Sequence, residues 1–504
     1  MLRLTALLMA SASAFAVAGI AIAQTAPTLP QANDAYFTAA EATLQAMIDR
    51  PAPIEGQARN IILFVGDGMS VATITAARIL EGQRMGVDGE SHQIAVDRLP
   101  YLALAKTYSH DGQVSDSAPT ATAMVTGVKT RNGVIGLNSS VAYQDCAAEA
   151  GNEVTTIFEL AEAAGYATGV ISTARITHAT PAATYAHTAD RNWEATAPEG
   201  CTDIASQLIA WPAGDGFEVI LGGGRAFFTP DTVADIEDTS RMGNRTDGRD
   251  LTAEWTAIDN NHLYVTNAEE FNAIDWASAP RVLGLFERDH MEYEADRAND
   301  TAGEPSIAEM TAAAITRLSQ NENGYVLMVE GGRIDHAHHA GNAARALADA
   351  IALNEAIATA MEMTDPNETL IVVTADHSHT MSIAGYPDRG NDILGLVVEG
   401  GELVLAADGL PYTTLGYANG PGAVFPGLAE GQTTPEAIAR TDLTAVDTTD
   451  VNFLQQATVP ISSETHAGDD VAVYASGPWA HLIAGTIEQN YIYSVLSYAS
   501  GLGR

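Results

Sequence analysis

Lysine is almost missing from this chain. Lys106 and Lys129 are the only two in 504 residues, arginine supplies the remaining bases, and 24 bases face 64 acids for a net charge of -40. So acidic a surface repels nucleic acid and anionic membrane, which removes both as partners. A Lys-poor, acid-rich composition also points to a salty working environment. Long apolar runs are missing after the first two dozen residues, so no later stretch can span a bilayer. There is no internal repeat, Gly-Ser linker or low-complexity block. With 46% apolar and 17% charged residues, a disordered chain is excluded. Cysteine is scarce too, with Cys146 and Cys201 alone.

What is present begins with an export signal. Arg3 precedes an apolar stretch from Leu4 to Ile22, and Ala21-Ile22-Ala23 forms an A-x-A cleavage site before Gln24. A retained anchor is the alternative; the small-residue exit and the polar segment after it favour cleavage of residues 1–23. The protein is then expected to be periplasmic or extracellular, with no membrane span after cleavage. Export would let Cys146 and Cys201 pair, against the alternative of two buried thiols.

Residues 24–55 read as an extended segment and then a helical arm over Asn33–Arg50, closed by Pro51 and Pro53. From 56 to 390 short apolar runs alternate with helical stretches. The runs are 60–65, 102–108, 166–172, 217–221, 281–286, 325–329 and 369–374. Helices are expected over 71–80, 153–164, 306–319 and 341–363. This texture predicts an α/β fold: a large central, mostly parallel sheet with helices on both faces. Residues 391–465 are rich in Gly, Pro, Thr and Asp and read as an insertion. The α/β texture resumes over 466–504.

Acids follow the strands at equivalent places: Asp67 after 60–65, Glu330 after 325–329, Asp376 after 369–374. A single acid there is usually a helix cap. Three would meet at one sheet edge and repel one another unless a cation sits between them. Histidines stand beside these acids. Asp335 and His339 share a helix face four residues apart; His377 adjoins Asp376; His466 precedes the last apolar run. Carboxylate with imidazole suits Zn²⁺, and hard oxygens such as Glu330 and a Thr hydroxyl suit Mg²⁺. Ser117, in Val114-Ser115-Asp116-Ser117-Ala118-Pro119, opens an Ala/Thr-rich helix whose N–H groups and dipole favour a phosphate on its oxygen. No histidine adjoins it in sequence, so a metal must lower the hydroxyl pKa.

These segments together resemble the alkaline phosphatases, and more closely the animal tissue-type branch. The motifs are Gly66-Asp67-Gly68-Met69, Asp116-Ser117-Ala118, His178-Ala179-Thr180-Pro181, Val329-Glu330-Gly331-Gly332-Arg333-Ile334-Asp335-His336-Ala337-His338-His339, Thr374-Ala375-Asp376-His377-Ser378-His379 and Glu464-Thr465-His466-Ala467-Gly468. The resemblance implies hydrolysis of phosphate monoesters through a phosphoserine at Ser117. It implies two Zn²⁺ per subunit, one held by Asp335, His339 and His466, the other by Asp67, Asp376 and His377. It implies one Mg²⁺ on Asp67, Thr180 and Glu330. Arg191 matches the phosphate-clamping arginine, and Asp116, His178, His336 and His379 stand just behind the ligands. Pro119 departs from the family's small residue. Phe286-Glu287 and Glu304-Pro305-Ser306 resemble part of an additional Ca²⁺ site. The 33–50 helix resembles a dimer arm and 391–465 a crown insertion, so a homodimer is implied. A sulfatase reading fails because Ala121 stands where its signature needs Arg. A phosphodiesterase has no use for a Thr180/Glu330 site. A catalytically dead metal-binding protein would have lost Ser117 or Arg191.

Overall fold

The computed structural model describes residues 31, 33–423 and 440–503; the segment 1–23, expected to be an export signal, and part of the expected insertion lie outside them. The chain divides into residues 1–52 and 53–504. In the first unit a helix spans Ala35–Ile48, capped by Asp34, whose carboxylate accepts from the N–H groups of Tyr36 and Phe37.

The second unit is built on a ten-stranded sheet. Its first eight strands are β1 (Asn60–Gly66), β2 (Tyr101–Lys106), β3 (Ala167–Arg175), β4 (Val219–Gly223), β5 (His262–Val265), β6 (Arg281–Leu285), β7 (Tyr325–Gly331) and β8 (Thr369–Ala375). Strands Val471–Ser476 and Gly485–Glu488 complete it. The order across the sheet is Gly485–Glu488, β2, Val471–Ser476, β8, β1, β7, β3, β4, β6, β5. Only Val471–Ser476 runs against its neighbours, β2 and β8.

β7 and β8 are buried at every residue, and β1 at every residue after Asn60. Burial on both faces is why these strands read as unbroken apolar runs. Helices Ala343–Met363, Val71–Arg84 and Ile307–Leu318 pack together over one face; Tyr491–Ser500, Ser117–Thr126 and Ile157–Ala163 pack together over the other. Each fully buried Ile, Leu or Val side chain contributes roughly 1.5–3 kcal/mol.

Several boundaries move for local reasons. The helix expected from residue 153 starts at Ile157, because Thr156 and Glu159 form a reciprocal capping box. Glu153 instead bridges to Leu137. The stretch 341–363 begins its helix at Ala343, with Asn342 as cap, and a separate helix, Arg333–His339, precedes it. In the 391–465 region a hairpin joins Val398–Glu399 to Glu402–Leu403. A three-stranded sheet combines Met381–Ile383, Leu415–Gly420 and Ala457–Pro460. Cys146 and Cys201 form a disulfide.

Candidate active site and metal centre

The sheet register sets the acids side by side. Val65 of β1 is level with Glu330 of β7 and with Thr374 of β8, so Asp67 and Asp376 emerge together just beyond the strand ends. Gly68 turns the chain sharply at φ +67°, and a Cβ there would collide with the His379 ring. That turn lets the Gly68 N–H donate to Asp376 Oδ1 at 2.9 Å.

Ser117 is the first residue of the Ser117–Thr126 helix. Asp116 caps it by accepting from the Ala118 N–H at 2.8 Å. The other Asp116 oxygen accepts from the Gly133 N–H. Pro119 falls in the first turn, where no N–H is needed. Ser117 Oγ lies 3.2 Å from His377 Nε2 and 3.5 Å from Asp67 Oδ2. His377 Nε2 is in turn 3.4 Å from Asp67 Oδ1 and 3.1 Å from Asp376 Oδ2.

A second cluster stands beside it. His339 Nε2 is 3.3 Å and His466 Nε2 is 3.4 Å from Asp335 Oδ1, and the two nitrogens are 3.1 Å apart. Each ring donates its Nδ1–H to a backbone carbonyl, His339 to Glu464 and His466 to Ser115. The neutral rings therefore turn Nε2 lone pairs toward each other and toward a carboxylate. Three acceptors at this spacing repel unless a cation lies among them. The His377 and His466 rings stack with centroids 3.6 Å apart, so the two clusters adjoin. A short pairing of His466–Ala467 with Ser378–His379 brings the two chain segments together.

The third group consists of oxygens. Asp67 Oδ1, Thr180 Oγ1 and Glu330 Oε1 are all buried without a hydrogen-bond partner. Ligand atoms of Asp67, Glu330 and His178 gather within 4.8 Å of one another, as do those of Asp67, Asp376 and His377. Asp67 belongs to both sets. Burial, with repulsion from Asp376, Asp335 and Glu330, pushes the Asp67 carboxyl well up. Burial likewise pushes Glu330 up to about 8, and Asp376 upward. Carboxyls that resist ionisation this strongly are satisfied by protons or by metal ions. The donors present — carboxylate, neutral imidazole and hydroxyl — fit divalent cations.

Around these groups the supports are as dense. Arg191 donates to Asp116 Oδ1 at 3.0 Å and to His178 Nε2 at 2.9 Å. His379 donates to Asp335 Oδ1 at 2.6 Å and its other nitrogen bonds Glu464. Burial opposes charge on His379, but its bonds to Asp335 and Glu464 hold it up at about 9. Burial would raise Asp335, yet the bond from His379 keeps it well below the usual carboxylate range. His336 packs between His178 and His290, with ring centroids 5.4 and 3.9 Å away. Away from this centre, burial and then Glu287 push Glu304 up to about 9. Burial, then Glu237 and Asp300, push Glu287 to about 7. Glu304 Oε2 is buried without a partner.

Sequence reasoning assigned no role to Glu464, His290, Glu237 or Asp300. Glu464 stands two residues before His466, and His290 stands shortly after β6, so the rule that flagged acids and histidines beyond strand ends reaches both.

The family model "Alkaline phosphatase" matches residues 58–502. The tissue-nonspecific isozyme of alkaline phosphatase from Gallus gallus is 44% identical over 459 residues, covering 88% of this chain and 85% of its own. The alkaline phosphatase of Gadus morhua is 42% identical over 92% of this chain and 96% of its own. Among solved structures, the alkaline phosphatase of Thermus thermophilus superposes with a TM-score of 0.64 at 27% identity, covering 92% of this chain and 95% of that one. Among the described residues no helix is long and apolar enough to cross a membrane. Matched over most of its length by that family model and by those relatives, the chain belongs to the alkaline phosphatase family, metal-dependent enzymes that hydrolyse phosphate monoesters.

Proposed function

We propose that this enzyme is exported, works as a homodimer and cleaves phosphate monoesters through a covalent phosphoserine at Ser117. The observation that carries the reading is the position of Ser117. Its hydroxyl opens a helix and lies within 3.5 Å of both His377 Nε2 and an Asp67 oxygen. Asp335, His339 and His466 would hold one Zn²⁺; Asp67, Asp376 and His377 a second; Asp67, Thr180 and Glu330 one Mg²⁺. When bound, the cations lower the pKa of the serine hydroxyl and of water and neutralise charge on the leaving oxygen. Glu287 and Glu304, with Glu237 and Asp300 beside them, would hold Ca²⁺.

Arg191 grips two non-bridging oxygens of the substrate with its guanidinium fork, held in orientation by Asp116. Ser117 Oγ attacks phosphorus, the P–O bond to the alcohol breaks, and the alcohol departs with a proton. Helix N–H groups at Ser117 stabilise the phosphoryl oxygens. Water then attacks the phosphoserine, the Ser–O–P bond breaks, the serine takes a proton, and inorganic phosphate leaves. Local cations and Arg191 offset the repulsion between a chain of charge -40 and an anionic substrate. Ser117→Ala is expected to keep its metals, measured by elemental analysis, and to lose nearly all turnover of a chromogenic monoester. Wild-type rate in that variant would refute the nucleophile.

A further inference from the structure

Bases are rare here, yet several of them meet in one place. Arg191 touches His178, and His178 packs edge-on against His290 and His336 at 5.5 and 5.4 Å. The His290 and His336 rings are 3.9 Å apart. Arg333 Nη1 lies 3.5 Å from His336 Nδ1, and Arg175 Nη1 lies 2.6 Å from His290 Nε2. In a chain with 24 Lys and Arg among 504 residues, chance does not favour such a group. All these side chains are only partly buried, so they reach solvent beside the phosphate clamp.

Their hydrogen bonding is one-sided. His290 Nδ1 accepts the Arg175 backbone N–H at 3.2 Å. The ring proton then sits on Nε2, where it faces a guanidinium N–H of Arg175, with the exposed Asp289 carboxylate 3.7 Å away. Arg333 Nε is a buried donor with no partner. The Tyr293 ring lies 3.6 Å under the Arg333 guanidinium and fixes its plane. Arg175 is matched by Glu194 and Asp289. Arg333 is not matched in this way. Burial pushes Asp349, the carboxyl that acts on it, up to about 8. Guanidinium and ring N–H donors in excess, with one guanidinium unpaired, suit an anion and not a cation.

We propose that Arg333, His336 and His290 form a subsite that grips a second phosphoryl group of the substrate while Arg191 holds the scissile one. The preferred substrates are then phosphomonoesters that carry a second phosphate within a few bonds of the first. This rests on the phosphomonoesterase reading above. It runs against bulk electrostatics, because a chain of charge -40 otherwise disfavours the more anionic substrate.

The test uses the metal-loaded enzyme and a matched pair, 3-hydroxypropyl phosphate and propane-1,3-diyl bisphosphate. Phosphate release gives kcat/KM for each. The wild type is expected to prefer the bisphosphate beyond the statistical advantage of two equivalent phosphates. His290→Asn and, separately, Arg333→Gln should each lower that ratio by roughly tenfold, the value of one charge-assisted hydrogen bond. The ratio is internal to each variant, so a loss of folded enzyme does not move it. A wild type that prefers the singly phosphorylated alcohol, or ratios unchanged in both variants, overturns the subsite. Absence of turnover for both substrates in the wild type would instead overturn the functional reading.

Discussion

Replacing Glu464 by Gln tests how the buried supports hold the proposed metal ligands. Glu464 is 1% exposed. One of its oxygens bonds His379 Nδ1; the other accepts from the Thr380 N–H and hydroxyl at 2.7 and 2.6 Å. His379 passes the constraint to Asp335 across 2.6 Å. The glutamine amide can accept on the Thr380 side only by turning its NH₂ to His379 Nδ1, which must then lose its proton to accept. The variant loses the charge-assisted bond, and with it the charge on His379, worth about 1.5–3 kcal/mol. Asp335, freed from a fixed partner, should hold zinc ten- to hundredfold more weakly, the usual effect of removing such a support. Competition with a chromophoric chelator measures that affinity, and thermal melting of the metal-loaded protein measures stability. Zinc affinity within about twofold of wild type, with an unchanged Tm, would show that Glu464 fills space and positions nothing.

Other consequences follow from the same geometry. Arg191→Ala should raise the inhibition constant for inorganic phosphate by at least about tenfold while metal content stays constant; an unchanged constant counts against the clamp. Glu330 sits at about 8 against an ordinary 4.5, and Asp67 and Asp376 are shifted the same way. Groups raised on folding contribute stability at low pH and lose it as pH climbs through the folded value. Chelated protein should therefore melt several degrees lower at about pH 9 than at about pH 5, and restored metal should remove most of that difference. A melting temperature independent of pH in the chelated form would contradict the crowding of these carboxyls. Screening of a charge of -40 should raise stability between low and molar salt, read by melting in each; equal values would remove the link between composition and a salty environment.

The parts legible in the sequence are those with a local signature. β1, β7 and β8 are buried along nearly their whole length, so each reads as a continuous apolar run, and the acids at their ends stand out by position. β2 was harder. Its burial alternates, with Leu102 and Leu104 exposed, and its antiparallel partner comes from Val471–Ser476, far along the chain. The helix expected from 153 slipped because the capping box at Thr156 and Glu159 outweighs the apolar pattern before it. In the site, the spacing of Asp335 and His339 is visible in one dimension. The convergence of His290 on His336 is not, because it needs the loop after β6 to fold back onto the helix after β7. The role of Glu464 was hidden for the same reason: its contacts lie 84 and 85 residues away.

Transfer of the phosphoryl group to Ser117 is the step on which the proposed mechanism depends. Metal-loaded enzyme mixed with a monoester at high concentration, quenched in acid within milliseconds and digested for mass spectrometry, measures this directly. One phosphoryl group on the peptide containing Ser117, absent from Ser117→Ala, is the expected result. Steady turnover with that peptide unmodified, or with the phosphoryl group on another residue, would contradict it.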